Sequence, residues 1–241
     1  MMGGLASGVG VFFIPWINRL DTSKEMTKTI KTEPALTADM LLDAFRGVMR
    51  PLAEPAPHGR RASAVLIPLV EDKGELKVIL TKRSSQLRHH AGQISFPGGA
   101  IDDGETVQEA AFREAHEEIN LHPSHVDMMG FLPGVLTTAN FHIAPVLALV
   151  KRDLTAADIN LSPHPDEVDR ILLEPIHPLL KHQHHRQEPR QYNGVDYQTW
   201  VIDHHEEYIW GATAKLIVQW SRLLPMGLLG RREDLSKEGA A

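Results

Sequence analysis

Residues 99–121 read GAIDDGETVQEAAFREAHEEINL, and the way this stretch folds decides how the rest of the 241-residue chain is read. At about 100° per residue from Val107, the positions Val107, Ala111, Phe112, Ala115 and Ile119 fall within about 140° and predict a helix over 105–119 with one core-facing stripe. Glu114, Glu117 and Glu118 fall in a second arc of about 100°, beside that stripe rather than opposite it. Glu109, Arg113 and His116 are expected to face water. Like charges at i, i+3 and i+4 cost a few tenths of a kcal/mol each when exposed, and more when partly desolvated. A solvated acidic face relieves this by interleaving lysine, and here only Arg113 stands near, at the edge of the arc. A divalent cation, hard and oxygen-seeking, is the natural relief for three carboxylates so spaced.

The flanking segments add the opposite charge. Pro97-Gly98-Gly99 and Asp102-Asp103-Gly104 predict a tight loop ahead of the helix, where glycine lets backbone N–H groups approach a phosphate or set the helix start. Upstream, residues 80–93 (LTKRSSQLRHHAGQ) carry Lys82, Arg83 and Arg88 with His89 and His90 and no acid. A basic patch beside an acidic one is the polarity of a site that grips substrate phosphates on one side and a metal on the other.

Composition narrows the possibilities. Hydrophobic residues make up 42% and charged residues 23%, the balance of a globular protein. The absence of cysteine removes disulfides, thiolate metal sites and cysteine nucleophiles. A net charge of −6 argues against general nucleic-acid binding. No apolar run reaches the roughly 18–20 residues of a membrane span, and the first twenty residues lack the leading positive charge of a secretory signal, so a cytoplasmic protein is expected. Residues 1–35 read as a loose tail, 36–222 as the domain and 223–241 as a C-terminal tail. Within the domain, Thr37 caps a short helix. Residues 62–70 and 76–82 are strands joined at Asp72-Lys73-Gly74, and 126–132, 141–150 and 167–174 are further strands. Asn193-Gly194 signals a hairpin of 188–192 with 195–202, and 210–224 is a helix buried on one side. His182, His184 and His185 are expected in a polar surface loop, and Trp210 in the core. Mixed strands with a few helices give an α/β sandwich.

Gly99, Glu105 and Arg113-Glu114-Ala115-His116-Glu117-Glu118 resemble the Nudix box, G-x5-E-x7-R-E-U-x-E-E-x-G-U. Asn120 stands where the family has glycine; the helix ends there, and asparagine is the next-best residue for a left-handed turn. The resemblance implies a Nudix fold, a mixed β-sheet sandwiched between helices (α/β/α). It implies Mg²⁺ or Mn²⁺ held by Glu114, Glu117 and Glu118 with a backbone contact from Gly99. Glu114, Glu117 and Arg113 would form the catalytic group, Arg113 orienting a glutamate and Glu105 holding the loop.

A second pattern, Ile79-Leu80-Thr81-Lys82-Arg83-Ser84 with Arg88, Gly92 and Phe96-Pro97-Gly98-Gly99, looks like the motif upstream of the box in coenzyme A pyrophosphatases. Asp166-Glu167-Val168 leading to Glu174-Pro175-Ile176, and Ile209-Trp210-Gly211-Ala212-Thr213-Ala214, are similar to the same branch. This implies hydrolysis of CoA or an acyl-CoA to 4′-phosphopantetheine and adenosine 3′,5′-bisphosphate, with Lys82, Arg83 and Arg88 binding the substrate. The general base stays open among Glu117, Glu167 and Glu206. A Nudix enzyme for ADP-ribose or NADH, or a catalytically silent ligand-binding domain, are the alternatives.

Overall fold

The computed structural model describes residues 37–45, 49–73, 75–87, 90–155, 157–192, 194–204, 207–225 and 229. The chain divides into two units, Met1–Pro34 and Ala35–Ala241, and every described residue belongs to the second. The expected N-terminal tail therefore lies outside the described residues.

The order of elements is α1 (Ala38–Phe45), β1 (Arg61–Asp72), β2 (Glu75–Arg83), β3 (Ile94–Ser95), β4 (Gly98–Ala100), α2 (Val107–Ile119), β5 (Val126–Phe131), β6 (Val135–Leu136), β7 (Phe141–Val150), β8 (Val168–Pro175), α3 (Ile176–Leu180), β9 (His185–Tyr192), β10 (Val195–His204), β11 (Glu207–Trp210) and α4 (Gly211–Leu223). Thr37 accepts the Met40 amide at 3.3 Å, the cap that its sequence position suggests. Eight strands form one mixed sheet along β3-β2-β1-β7-β5, with β4 on β1, β6 on β7 and β8 on β2. β1 runs parallel to β7 over nine paired positions from Arg61↔Phe141 to Leu69↔Leu149. The Asn193-Gly194 hairpin pairs Tyr192 with Val195 and belongs to a second, three-stranded sheet, β11-β10-β9, beyond the sandwich expected from sequence; Asn193 itself lies outside the described residues, as does Gly74 of the first hairpin.

Both faces of the large sheet are covered, which is why β1 reads as a continuous apolar run. Ala64, Leu66, Val70 and Ile79 pack against Ala110, Ala111, Ala115 and Ile119 of α2. The alternate residues Ile67, Leu69, Val78 and Leu80 face a larger core with Ile176 of α3, Ile202 and Ile209 of the small sheet, and Leu216 and Trp220 of α4. Leu224 and Leu229 join that core, so burial continues past the boundary expected at 222. Two strand prolines sit where one ladder gives way to another. Pro68 lies between the β4-paired and β2-paired parts of β1. Pro145 lies between the β6-paired and β5-paired parts of β7. A residue without an N–H is tolerated there because no ladder donor is needed. His185 departs from its expected surface loop: it opens β9, is buried, and hydrogen-bonds through Nε2 to the Leu179 carbonyl oxygen at 2.8 Å.

Asn120 ends α2 in the left-handed region at φ 57°, and its amide reaches back to the Ala115 and His116 carbonyls. A Cβ costs about 1–2 kcal/mol in this conformation, which asparagine partly offsets by local hydrogen bonding. Asn120→Ala should lower the unfolding free energy by about 1 kcal/mol, whereas Asn120→Gly should match or exceed the parent. Urea denaturation of the two variants measures both, and equal stabilities would exclude a conformational role for this position.

Candidate active site

α2 is fixed at both ends before it presents a side chain. Thr106 accepts the Glu109 amide at 3.2 Å, and Glu109 accepts the Thr106 amide at 2.8 Å, a reciprocal capping box. The Thr-x-x-Glu spacing was visible in the sequence, yet Glu109 read only as a solvated acid. At the other end the chain folds back over the helix terminus: Ser162 N–H donates to the Ile119 carbonyl at 3.1 Å and His164 N–H to that of Glu118 at 2.8 Å. This return segment carries Glu167 to the same region.

The buried face of α2 is rotated from the simplest reading. Ala110, Ala111, Ala115, Glu118 and Ile119 are buried, while Val107 and Phe112 are only partly so. The three alanines let the helix approach the sheet closely, and the rotation sinks Glu118 until 2% of it is exposed. Its Oε2 accepts the Gly98 amide at 3.3 Å, and its Oε1 stands 3.6 Å from Nη1 of Arg83. Burial pushes the Glu118 carboxyl up to about 8; Arg83 and the Gly98 amide oppose the shift, and the charges of Glu114 and Glu167 add to it. Glu114 is also raised, chiefly by burial, with Arg113 opposing and Glu117 and Glu167 adding.

Arg113 does not face water as its helical angle suggested. Its Nε and Nη2 donate to the two oxygens of Glu105 at 2.9 and 3.0 Å, a bidentate pair. Nη1 donates to Glu114 Oε1 at 2.9 Å and Glu117 Oε2 at 3.0 Å, and Nη2 also reaches the Ala100 carbonyl at 3.1 Å. The guanidinium holds the Glu105 carboxyl below its ordinary range. Repulsion along the helix draws the flexible arginine inward, where a wheel alone leaves it outside.

Gly98 and Gly99 on β4 have separate parts. A Cβ on Gly99 would come within 2.3 Å of Glu114 Oε1, so glycine here lets that carboxylate keep its place beside β4. A Cβ on Gly98 would meet the Ala64 carbonyl oxygen at 2.3 Å. The backbone group that reaches the carboxylates is the Gly98 amide, whereas Gly99 stands in register with Ala64 of β1. The sequence placed both glycines in a loop whose amides can approach a ligand, and gave the backbone contact to Gly99 alone.

The expected basic residues separate. Ile79 packs on the α2 face, and Arg83 leaves β2 on that same side, whereas Lys82 follows the alternate side with Leu80. A bulge between Lys82 and Arg83 leaves Asp169 of β8 unpaired in the ladder, and its carboxylate captures the Ser85 amide at 3.0 Å. Arg88 and Glu206 lie outside the described residues. On another flank of α2 a cleft of about 870 Å³ is lined by Asp102, Asp103, Glu105, Phe112, Val126 and Met128 among others. Its rim is acidic and also carries Arg113.

Hard oxygen donors suit a divalent cation of the Mg²⁺ or Mn²⁺ type, and the clearance kept by Gly99 beside Glu114 is what such a site needs. Among the described residues no three carboxylate or imidazole groups converge tightly enough to hold an ion as they stand. The carboxylates turn instead to Arg113 and Arg83, which supply the counter-charge.

Residues 60–196 match the NUDIX domain family. The bacterial proteins described as uncharacterized Nudix hydrolase NudL are similar along most of their length. That of Enterobacter sp. strain 638 is 34% identical over 183 residues, and that of Escherichia coli O7:K1 is 35% identical over 184. Each alignment covers 76% of this chain and 92% of the relative. Among solved structures, the C. elegans Ap4A hydrolase binary complex superposes with a TM-score of 0.40 at 18% identity, covering 47% of this chain and 80% of that one. The Nudix domain of Shewanella oneidensis NrtR, complexed with ADP ribose, gives 0.39 at 19% identity, covering 53% and 80%. Those superpositions are too loose to carry an argument, and the assignment rests on the sequence matches: the chain belongs to the Nudix hydrolase family and is a pyrophosphatase-type hydrolase.

Proposed function

We propose that the protein hydrolyses the diphosphate bond of coenzyme A or an acyl-CoA with the help of Mg²⁺ or Mn²⁺, releasing 4′-phosphopantetheine and adenosine 3′,5′-bisphosphate. The observation that carries the reading is the 3.6 Å approach of Arg83 to Glu118, which joins the upstream Leu80-Thr81-Lys82-Arg83 segment and the box carboxylates in one site. Glu114, Glu117 and Glu118 would hold the metal, with the Gly98–Gly99 backbone at its edge. When bound, the ion would neutralise the anionic oxygens of the diphosphate and lower the pKa of an attacking water.

The remaining work falls to the chain itself. Arg113, anchored on Glu105, keeps Glu114 and Glu117 oriented. Arg83 supplies positive charge to the substrate phosphates. Glu167, whose charge is felt at both Glu114 and Glu118, is a candidate to accept the water proton on its carboxylate, with Glu117 and Glu206 as the alternatives. The upstream segment is what favours CoA over ADP-ribose or NADH, since it is no part of the general box.

Incubation with CoA, ADP-ribose and NADH, each with Mg²⁺, Mn²⁺ or chelator, tests the reading by product chromatography. Metal-dependent release of adenosine 3′,5′-bisphosphate from CoA is the expected result. Cleavage of the other two without CoA would transfer the substrate to another nucleoside diphosphate derivative. Glu118→Gln should lower turnover by about a hundredfold or more, the several kcal/mol that a metal-held charge supplies to phosphoryl chemistry; full activity in that variant would remove Glu118 from the metal face.

A pH series on the chelated protein checks the electrostatics independently. Glu118 has a folded-state pKa of about 8, raised above its ordinary 4.5. The folded state thus binds a proton more tightly than the unfolded one, so stability is full below about pH 4.5 and falls as pH rises towards 8. Melting temperature in EDTA should therefore drop over this window, less so in Glu118→Gln, and Mg²⁺ should restore more stability at pH 8 than at pH 5. A flat wild-type profile would contradict the burial of an ionisable carboxyl here.

A further inference from the structure

Two arginines face the carboxylates of α2, and they are held very differently. The guanidinium of Arg113 makes five hydrogen bonds, all between 2.9 and 3.1 Å. That of Arg83 approaches Glu118 at only 3.6 Å, beyond the roughly 2.7–2.9 Å of a tight charge-assisted hydrogen bond. Its Nε is buried without a hydrogen-bond partner. The Arg83 backbone, by contrast, is fixed, its amide donating to Gln93 at 2.9 Å and its carbonyl accepting from Gly92 at 3.1 Å. Its side chain is 28% exposed, while that of Glu118 is 3% exposed. One partner of this pair is locked in place, and the other is poorly satisfied and has a route to solvent.

We propose that Arg83 is a latch released by the metal: it pairs with Glu118 in the metal-free protein and transfers to the substrate diphosphate once a divalent cation has taken Glu118. The inference rests on the metal-dependent diphosphate chemistry proposed above and adds an order of events to it. A dipositive ion on Glu118 repels the neighbouring guanidinium, and a diphosphate on the solvent side attracts it. Without the ion, Arg83 is engaged and Glu114, Glu118 and Glu167 present net negative charge, so the site rejects an anion. Metal and substrate then bind cooperatively, and by reciprocity substrate tightens the metal as much as metal tightens the substrate. Arg83 acts here as a positioning residue that couples the two.

Binding of ADP to the full-length protein in EDTA at about pH 9, where Glu118 is ionised, followed by calorimetry, reads the latch without turnover. Glu118→Gln removes the partner of Arg83 and should bind ADP about tenfold more tightly than the wild type, inside the usual range of coupling between sites. In the double variant Glu118→Gln, Arg83→Met that gain should vanish, and Arg83→Met alone should match the weak wild-type binding. No gain in Glu118→Gln, or the same gain in the double variant, overturns the proposal, because the freed arginine would then not be what captures the anion. Arg83→Gln replaces Arg83→Met if melting shows the latter to be unfolded. The two readings fail separately: a failed ADP cycle with intact metal-dependent CoA cleavage sinks the latch alone, and absent CoA cleavage with an intact cycle sinks the substrate assignment alone.

Discussion

Everything near the site follows from one costly arrangement, a carboxylate sunk between a helix and a sheet beside two others on the same helical face. Desolvation and like-charge repulsion act together on Glu118, and each neighbour can be read as a response. Alanines at 110, 111 and 115 let α2 approach the sheet. Glycine at 99 clears the volume that the Glu114 carboxylate fills. The Gly98 amide and the Arg83 guanidinium supply positive electrostatic potential where water is excluded. A protein selected for stability alone would place an apolar residue at 118. An ionisable group buried at such a position marks a candidate functional site.

The sheet is arranged to make that approach possible. β1 is shared: its first half pairs with β4, its end with β2, and β7 runs alongside from Arg61 to Leu69. The proline at 68 marks the handover, lying after the last β4-paired residue and before the first β2-paired one. This fork brings the short Gly98–Ala100 strand beside the start of the long central strand, under α2, while the end of β2, held between β3 and β8, delivers Arg83 to the same face. The return segment to β8, pinned to the C-terminal carbonyls of α2, then brings Glu167 to the rim. Three chain segments distant in sequence meet because two strands stop where they do.

Much of this was legible in the sequence, for identifiable reasons. Periodicity found α2, α4 and the long strands because each buries a face whose pattern spans many residues. The Asn193-Gly194 hairpin and the left-handed turn at Asn120 follow from local backbone chemistry. The short strands β3, β4 and β6 were not legible: two or three residues carry no period, and β4 is largely glycine. The carboxylate arc was readable, but its depth was not. A helical wheel fixes angles within the helix and says nothing of its rotation about its axis, which the alanines and the neighbouring sheet decide. Hence Glu118 is more buried than expected, Phe112 less, and Arg113 turns inward.

The contrast between the two arginines bears on how such a site can be both stable and responsive. A guanidinium with five short hydrogen bonds is part of the framework; moving it would strand Glu105, Glu114 and Glu117 together. A guanidinium with a long ion pair and a buried, unmatched Nε has little to lose by leaving. Arg113 and Glu105 can therefore keep two of the carboxylates in place whatever occupies the site, while the charge on the third is balanced by a group that can be exchanged. Had Arg83 been tied as tightly as Arg113, a cation would have to break a satisfied network to reach Glu118. Had it been absent, the metal-free protein would carry a buried carboxylate with no cation beside it. The loose pair lies between these limits, holding the site together without blocking what it is built to receive.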